Sequence, residues 1–272
     1  MPDVPLTQYK QILDSLPWRS RMHTRLRGAT LSLLSLSKRI DRTSGWIRFP
    51  YYHHIYDDER RQFAAHLDYL RRFGDFISYD QGVDLLVSGA PIDGRYFCIS
   101  FDDSNKDCLR NGLPILAEKK ISATFFLTVE RIAAPPFTAS SGRGWRWINE
   151  FLDWQDCRKL ADAGMILGSH GYGHRSFAEL SEAEALGELQ RSREKIQAET
   201  RCPCDHFSCP WGNPLRHLKL NRETKLAQNS GYRSLSTSQR GAMRRGDSPY
   251  SIRRDQLQAA WSLGQLRYFL SR

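Results

Sequence analysis

From Trp46 onward the hydrophobic and polar positions switch repeatedly between a period of two and a period near 3.6. "WIRFPYYHHI" (46–55) reads as a strand, and "DDERRQFAAHLDYLRRFG" (57–74) as a helix with Phe63, Leu67 and Leu70 on one face and Gly74 as its stop. Further strand-like runs are "DFISYD" (75–80), "RYFCISFDD" (95–103), "SATFFLTV" (122–129), "MILGS" (165–169), "DHFSCPW" (205–211) and "YRSLST" (232–237). Helical patterns fall between them at 109–120, 153–164, 181–200 and 218–231. The third of these opens with Ser181 and Glu184, the spacing of a capping box. Strands alternating with helices predict a parallel sheet, open or closed into a barrel. "PPFTASSGRGWRW" (135–147) interrupts the rhythm and reads as a loop over the working face.

The first 45 residues follow a different pattern. In "PWRSRMHTRLRGATLSLLSLSKRIDR" (17–42) arginines and lysines are interleaved with leucines. This basic, loosely amphipathic stretch reads either as a segment lying on an anionic membrane surface or a partner, or as an extension packed on the domain by its leucines. The expected division is an N-terminal extension at 1–45 and one α/β domain at 46–272.

Composition changes this picture in one respect. The 272-residue chain is 40% hydrophobic and 26% charged, ordinary values for a globular protein. Its net charge of +10 is less ordinary and favours an acidic partner: nucleic acid, lipid headgroups or an acidic glycan. No nucleic-acid-binding motif accompanies that charge. The start lacks the basic flank and unbroken apolar run of an export signal, and "ATLSLLSLS" (29–37) is too short to span a bilayer. The expectation is a cytoplasmic protein with peripheral contact at the inner membrane face. Cys98, Cys108 and Cys157 read as reduced core thiols. Cys202, Cys204 and Cys209 form C-x-C-x4-C, which is not the usual structural-zinc pair but leaves a second metal site open.

The titratable residues gather where predicted strands end. "CISFDD" closes on Asp102 and Asp103, "MILGS" runs into His170 and His174, and "YYHHI" carries His53 and His54. In parallel α/β folds ligands bind beyond the carboxyl ends of the strands, so these groups share one rim. Gly171 and Gly173 let a tight loop turn both imidazoles toward one point. Two imidazoles and a carboxylate form the ligand set of an open catalytic zinc site, and a neighbouring carboxylate fits a general base. Singly, the aspartates also read as a turn or helix cap and the histidines as surface residues.

At this point the residues resemble a family. "SFDDSNKDCLRNGLPILAEKKISATFFLT", "LADAGMILGSHGYGHRSFAELS" and "HFSCPWG", in that order, are similar to three segments of the NodB-type polysaccharide deacetylases (carbohydrate esterase family 4). The similarity runs from about Trp46 to Asp255. It implies a distorted (β/α) barrel with outer helices, and a metal-dependent hydrolase that removes N-acetyl groups from an acetamido sugar or glycan, in surface polysaccharide biosynthesis. It implies Asp102 as base and Asp103, His170 and His174 as ligands of a divalent cation: zinc first, with cobalt, nickel, iron or manganese as alternatives. In the third segment the backbone N–H of Trp211 would help hold the oxyanion.

Departures from the family pattern sharpen the expectation. Ser104 stands for the usual Gly, and Gly171 for Ser or Thr. Ser208 occupies the place where many members carry an Arg that orients the base; members of the F-A-Y-P-Y-G subgroup, to which this chain is most similar, lack that Arg too. "SIRRDQL" resembles that subgroup's L-P-R segment and makes Arg254 the substitute. The C-terminal L-x-x-H that supplies a general acid elsewhere is absent. "YYHHI" resembles the Y-H-x-V strand of biofilm-type deacetylases, making His53 the candidate acid and His54 the runner-up. Two other readings remain: a catalytically silent glycan-binding protein of a synthesis complex, and a hydrolase of another C–N bond such as a cyclic amide.

Overall fold

The computed structural model describes residues 7–134, 137–140 and 146–271. Two helices lead, α1 (Tyr9–Ser15) and α2 (Trp18–Leu34). Then follow β1 (Trp46–Arg48), β2 (Pro50–Tyr52), α3 (Arg60–Leu70), β3 (Asp75–Phe76), α4 (Tyr79–Ser88), β4 (Arg95–Phe97), β5 (Ile99–Phe101), α5 (Leu113–Glu118) and β6 (Ala123–Leu127). A hairpin of β7 (Phe137–Ser140) and β8 (Arg146–Asn149) precedes α6 (Trp154–Asp162), β9 (Ile166–Ser169), α7 (Glu182–Thr200), β10 (His206–Ser208) and α8 (Leu220–Asn229). The chain ends with β11 (Ser234–Ser236), β12 (Asp255–Gln256) and α9 (Leu263–Leu270).

Seven strands form one parallel sheet in the order β11-β10-β9-β6-β5-β2-β12. A smaller parallel sheet, β1-β4-β3, lies beneath it, because β1 runs into β2 at Phe49 and β4 into β5 at Cys98. Between the edges of the large sheet runs segment 252–257. Ile252 bridges Ser236 of β11, and the N–H groups of Asp255 and Leu257 donate to Phe49 O and Tyr51 O along β2. The sheet thus curls toward closure as the distorted barrel expected from the strand–helix rhythm.

Side-chain alternation on these strands builds two cores. Tyr52 and Phe101 pack outward on Phe63 of α3, within a large cluster that includes Leu67, Leu70, Leu116, Leu160 and Leu189. A second cluster holds Phe49, Tyr79, Val83, Phe126 and Ile252. Gly168 on β9 is demanded by close approach, since a Cβ there would meet Phe126 Cδ1 at 2.6 Å.

Several elements differ from expectation. "DFISYD" is strand only at 75–76; Ser78 then caps α4, its side chain accepting from Gln81 N while Gln81 reaches back to Ser78 N. The segment 135–147 contains strand at 137–140 and from 146, while 135–136 and 141–145 lie outside the described residues. The capping box at Ser181 and Glu184 is present. The N-terminal helices lie against the domain. Asp58 accepts hydrogen bonds from Tyr9 N at 2.7 Å and Lys10 N at 3.0 Å, and Ser32 of α2 hydrogen-bonds Ser262 at the start of α9. Trp18, Met22, Leu26 and Leu33 of α2 remain exposed. No described helix is long and apolar enough to cross a membrane. All six cysteines are free.

Candidate active site

Because the sheet is parallel, its carboxyl ends deliver one residue after another to the same rim. Asp102 and Asp103 follow β5, His170 follows β9, His53 follows β2, and Trp211 lies just past β10. These residues, with His174, Tyr51, Arg131, Arg254 and Gln256, line a cavity of about 340 Å³.

Asp103, His170 and His174 place a carboxylate oxygen and two ring nitrogens within 4.8 Å of one another, the one such trio of metal-ligand side chains among the described residues. Cys202, Cys204 and Cys209 therefore do not gather into a second site. Asp103 Oδ1 lies 3.0 Å from His174 Nε2 and 3.6 Å from His170 Nε2, and Arg131 Nη1 approaches it to 2.9 Å. This oxygen is buried and pairs with the Arg131 guanidinium. A carboxylate oxygen and two imidazole nitrogens gathered at one point form a donor set that suits a divalent cation.

The histidines are prepared for that role. His170 Nδ1 lies 2.7 Å from Ser208 O, which accepts only from N–H, so Nε2 keeps its lone pair toward Asp103. Burial, only partly opposed by Asp102, pushes the His170 pKa down to about 4 and keeps the ring neutral. The Asp103 pKa is lowered well below the usual carboxylate range. Burial would raise it, but His174, His170, His53 and Arg131 together prevail.

Local backbone strain marks the same three segments. Of seven non-glycine residues with positive φ among those described, Asp103, Ser104, His174 and Trp211 belong to them. Gly171 has φ of 80°, which its lack of a Cβ permits in the turn joining the two histidines. Glu188 of α7 holds that turn, its Oε2 accepting from Tyr172 N at 2.8 Å and Gly173 N at 2.9 Å. Nothing in the sequence distinguished Glu188 from the other acidic residues of its helix. Arg131 was also missed; it follows β6 on a short turn that carries no family signature.

Asp102 is oriented by a different group. Arg254 Nη1 donates to Asp102 Oδ1 at 2.9 Å and Nη2 to Oδ2 at 2.7 Å, and Nη2 also reaches Ser208 Oγ at 2.7 Å. Arg254 is 1% exposed and Asp102 2%, so this bidentate pair is fully desolvated. Arg254 Cζ sits 4.1 Å over the Tyr51 ring. Burial alone would raise the Asp102 pKa, and the Arg254 guanidinium, with His170 and His53, holds it below its ordinary value.

Of the two N-terminal histidines, His53 faces this cavity, its Nε2 4.0 Å from Asp103 Oδ2. Burial lowers its pKa despite Asp102 and Asp103 nearby. His54 turns aside to pair with Asp107 at 2.8 Å. The Trp211 indole is 60% exposed and packs edge-on against His174.

The geometry can be set beside known proteins. A family model described as polysaccharide deacetylase matches residues 90–235, more than half of the chain. The Bacillus subtilis protein YxkH is 22% identical over 236 residues, 81% of this chain and 77% of its own. Among solved structures, IcaB from Ammonifex degensii is 20% identical with a TM-score of 0.69, covering 85% of this chain and 99% of its own. The Streptococcus pyogenes deacetylase PplD in complex with acetate is 18% identical with a TM-score of 0.68, covering 84% and 99%. These structures share the curled parallel sheet and its helices. With its three ordered segments, its fold and the family model in agreement, the chain belongs to the polysaccharide deacetylase family.

Proposed function

We propose that this protein hydrolyses the acetamide of N-acetylated glycans, releasing acetate and a free amino sugar, with a divalent cation at Asp103, His170 and His174. The observation that carries the reading is the pairing of two adjacent carboxylates with separate surroundings. One faces two imidazoles, and the other is clamped by a buried guanidinium. That division suits a metal ligand beside a base. Zinc is the first choice for a carboxylate and two imidazoles. The arrangement of Arg254 on Asp102 also supports assignment to the F-A-Y-P-Y-G subgroup, in which Arg254 replaces the Arg missing at Ser208.

A cation held by the trio supplies Lewis acidity, acidifying water and polarising the acetamide carbonyl. Asp102 accepts the proton of the attacking water, and Arg254 holds its carboxylate in place as charge develops. The Trp211 N–H donates to the oxyanion of the tetrahedral species, a kind of contact worth about 3–4 kcal/mol in other hydrolases. His53 protonates the departing nitrogen when it enters the step as the imidazolium, a form that burial makes the minor one at neutral pH and a stronger acid.

The test is acetate release from N-acetylated mono- and oligosaccharides, with cyclic amides in parallel, before and after stripping with a chelator. Release confined to the acetylated sugars, lost on stripping and restored by zinc or cobalt, is the expected result. Undiminished release from protein shown to be metal-free, or turnover of cyclic amides alone, would overturn the reading.

A further inference from the structure

Three residues separate the two histidines of the trio, and the backbone N–H of each is taken. Gly171 N donates to Ser169 Oγ at 3.1 Å, and Tyr172 N and Gly173 N donate to Glu188 Oε2 at 2.8 and 2.9 Å. The carbonyls of the turn are held from another side, just beyond β6. Gly171 O accepts from Val129 N at 3.3 Å, and Tyr172 O from Glu130 N at 2.9 Å. The turn is thus gripped between the segment that follows β6 and helix α7.

Residues 188, 191 and 192 share one face of α7, and each reaches this turn or its anchor. Ser192 pairs at 2.7 Å with the Ser169 hydroxyl that holds Gly171 N, and the Arg191 guanidinium lies 4.0 Å over the Tyr172 ring. Glu188 bonds the turn's backbone directly, and a carboxylate accepting two N–H groups is a charge-assisted contact, stronger than a neutral one. The two glycines leave it room. A Cβ at Gly171 would come within 3.1 Å of Glu188 Oε2, and one at Gly173 within 3.4 Å of Glu188 Oε1. His170 has an anchor of its own, Nδ1 against Ser208 O. His174 follows directly on Gly173 with φ of 56°, a strained value that its surroundings must hold, so its place depends on the turn.

We propose that Glu188 is a positioning residue for the metal trio. Through the Tyr172 and Gly173 N–H groups it keeps the His174 ring within reach of Asp103 and His170, and Gly171 and Gly173 are the openings it needs. It acts on cation affinity through His174, without contributing a ligand atom. This rests on the reading of Asp103, His170 and His174 as a cation site, and the experiment separates the two.

The experiment titrates zinc into chelator-stripped full-length protein and records the visible absorption of the cobalt-loaded form, in wild type, Glu188→Ala, Glu188→Gln and Ile196→Val. Glu188→Ala is expected to weaken zinc binding by about 10- to 100-fold, the usual result of losing a group that orients a metal ligand, and to change the cobalt spectrum. Glu188→Gln keeps an acceptor oxygen for both N–H groups and should stay within about threefold of wild type. Ile196→Val trims a buried core side chain two turns farther along α7, so it should lower the urea midpoint and leave zinc affinity and the cobalt spectrum unchanged. Wild-type affinity and spectrum in Glu188→Ala overturn the proposal. Equal losses in Glu188→Ala and Ile196→Val overturn it as well, because destabilisation alone then explains them. Equal losses in Glu188→Ala and Glu188→Gln also overturn it, by tracing the effect to charge and not to position. Wild-type protein that takes up no zinc overturns the cation site and the proposal together, whereas tight wild-type binding with an unaffected Glu188→Ala overturns the proposal alone.

Discussion

Asp102→Asn is expected to lower acetate release by about 10²- to 10⁴-fold while bound metal stays at the wild-type level, because the substitution removes a proton acceptor and no ligand. Both Asp102 oxygens already accept from Arg254, at 2.9 and 2.7 Å, and Oδ2 lies 4.0 Å from His170 Nε2. Asn keeps the shape and one acceptor oxygen, but it leaves the Arg254 charge buried without its counter-ion, so a loss of stability in urea is expected beside the loss of rate. What it loses is the charge that takes the water's proton. Metal content by elemental analysis and initial rates on one N-acetylated sugar read the two effects separately. A variant that hydrolyses at the wild-type rate would put the base elsewhere.

Arg254→Met is the second large effect and acts on stability as well as rate. Removing one partner of a buried pair leaves an uncompensated charge, at a cost of about 3–5 kcal/mol. Here the stranded group is Asp102, whose pKa is held down chiefly by Arg254 against burial. Without the guanidinium, burial raises that pKa, and a protonated Asp102 accepts no proton. The variant should therefore be less stable in urea and nearly inactive at neutral pH. The double variant Arg254→Met, Asp102→Asn should regain part of the stability and none of the activity, since no charge is then left buried. Wild-type unfolding together with wild-type turnover in Arg254→Met would show that the pair orients nothing the reaction uses.

The sheet was legible in the sequence where strands are continuous apolar runs, as in "SATFFLTV", since both faces of a parallel sheet are covered. The pattern misled at "DFISYD", where Ile77 and Tyr79 imitate a strand although Ser78 and Gln81 cap a helix. Helix α2 could not be read from an apolar face, because it contacts the domain through Gly28 and Ser32, small residues that leave no stripe. The candidate ligands were legible because they follow apolar runs and match family segments. Arg254 was legible only through resemblance: beside it in sequence, Arg253 pairs with Asp247 outside the barrel, and nothing local separates the two. Glu188 and Arg131 were not legible, because each reaches the site through tertiary packing that no local spacing encodes.

The central claim is that two strand ends, those of β5 and β9, bring three ligands to one cation. Titrating zinc into chelator-stripped protein tests it most directly, using wild type, Asp103→Asn and His174→Ala side by side. One tight site per chain in wild type, absent from both variants, is the predicted result. Zinc binding with unchanged stoichiometry and affinity in the two variants would contradict it.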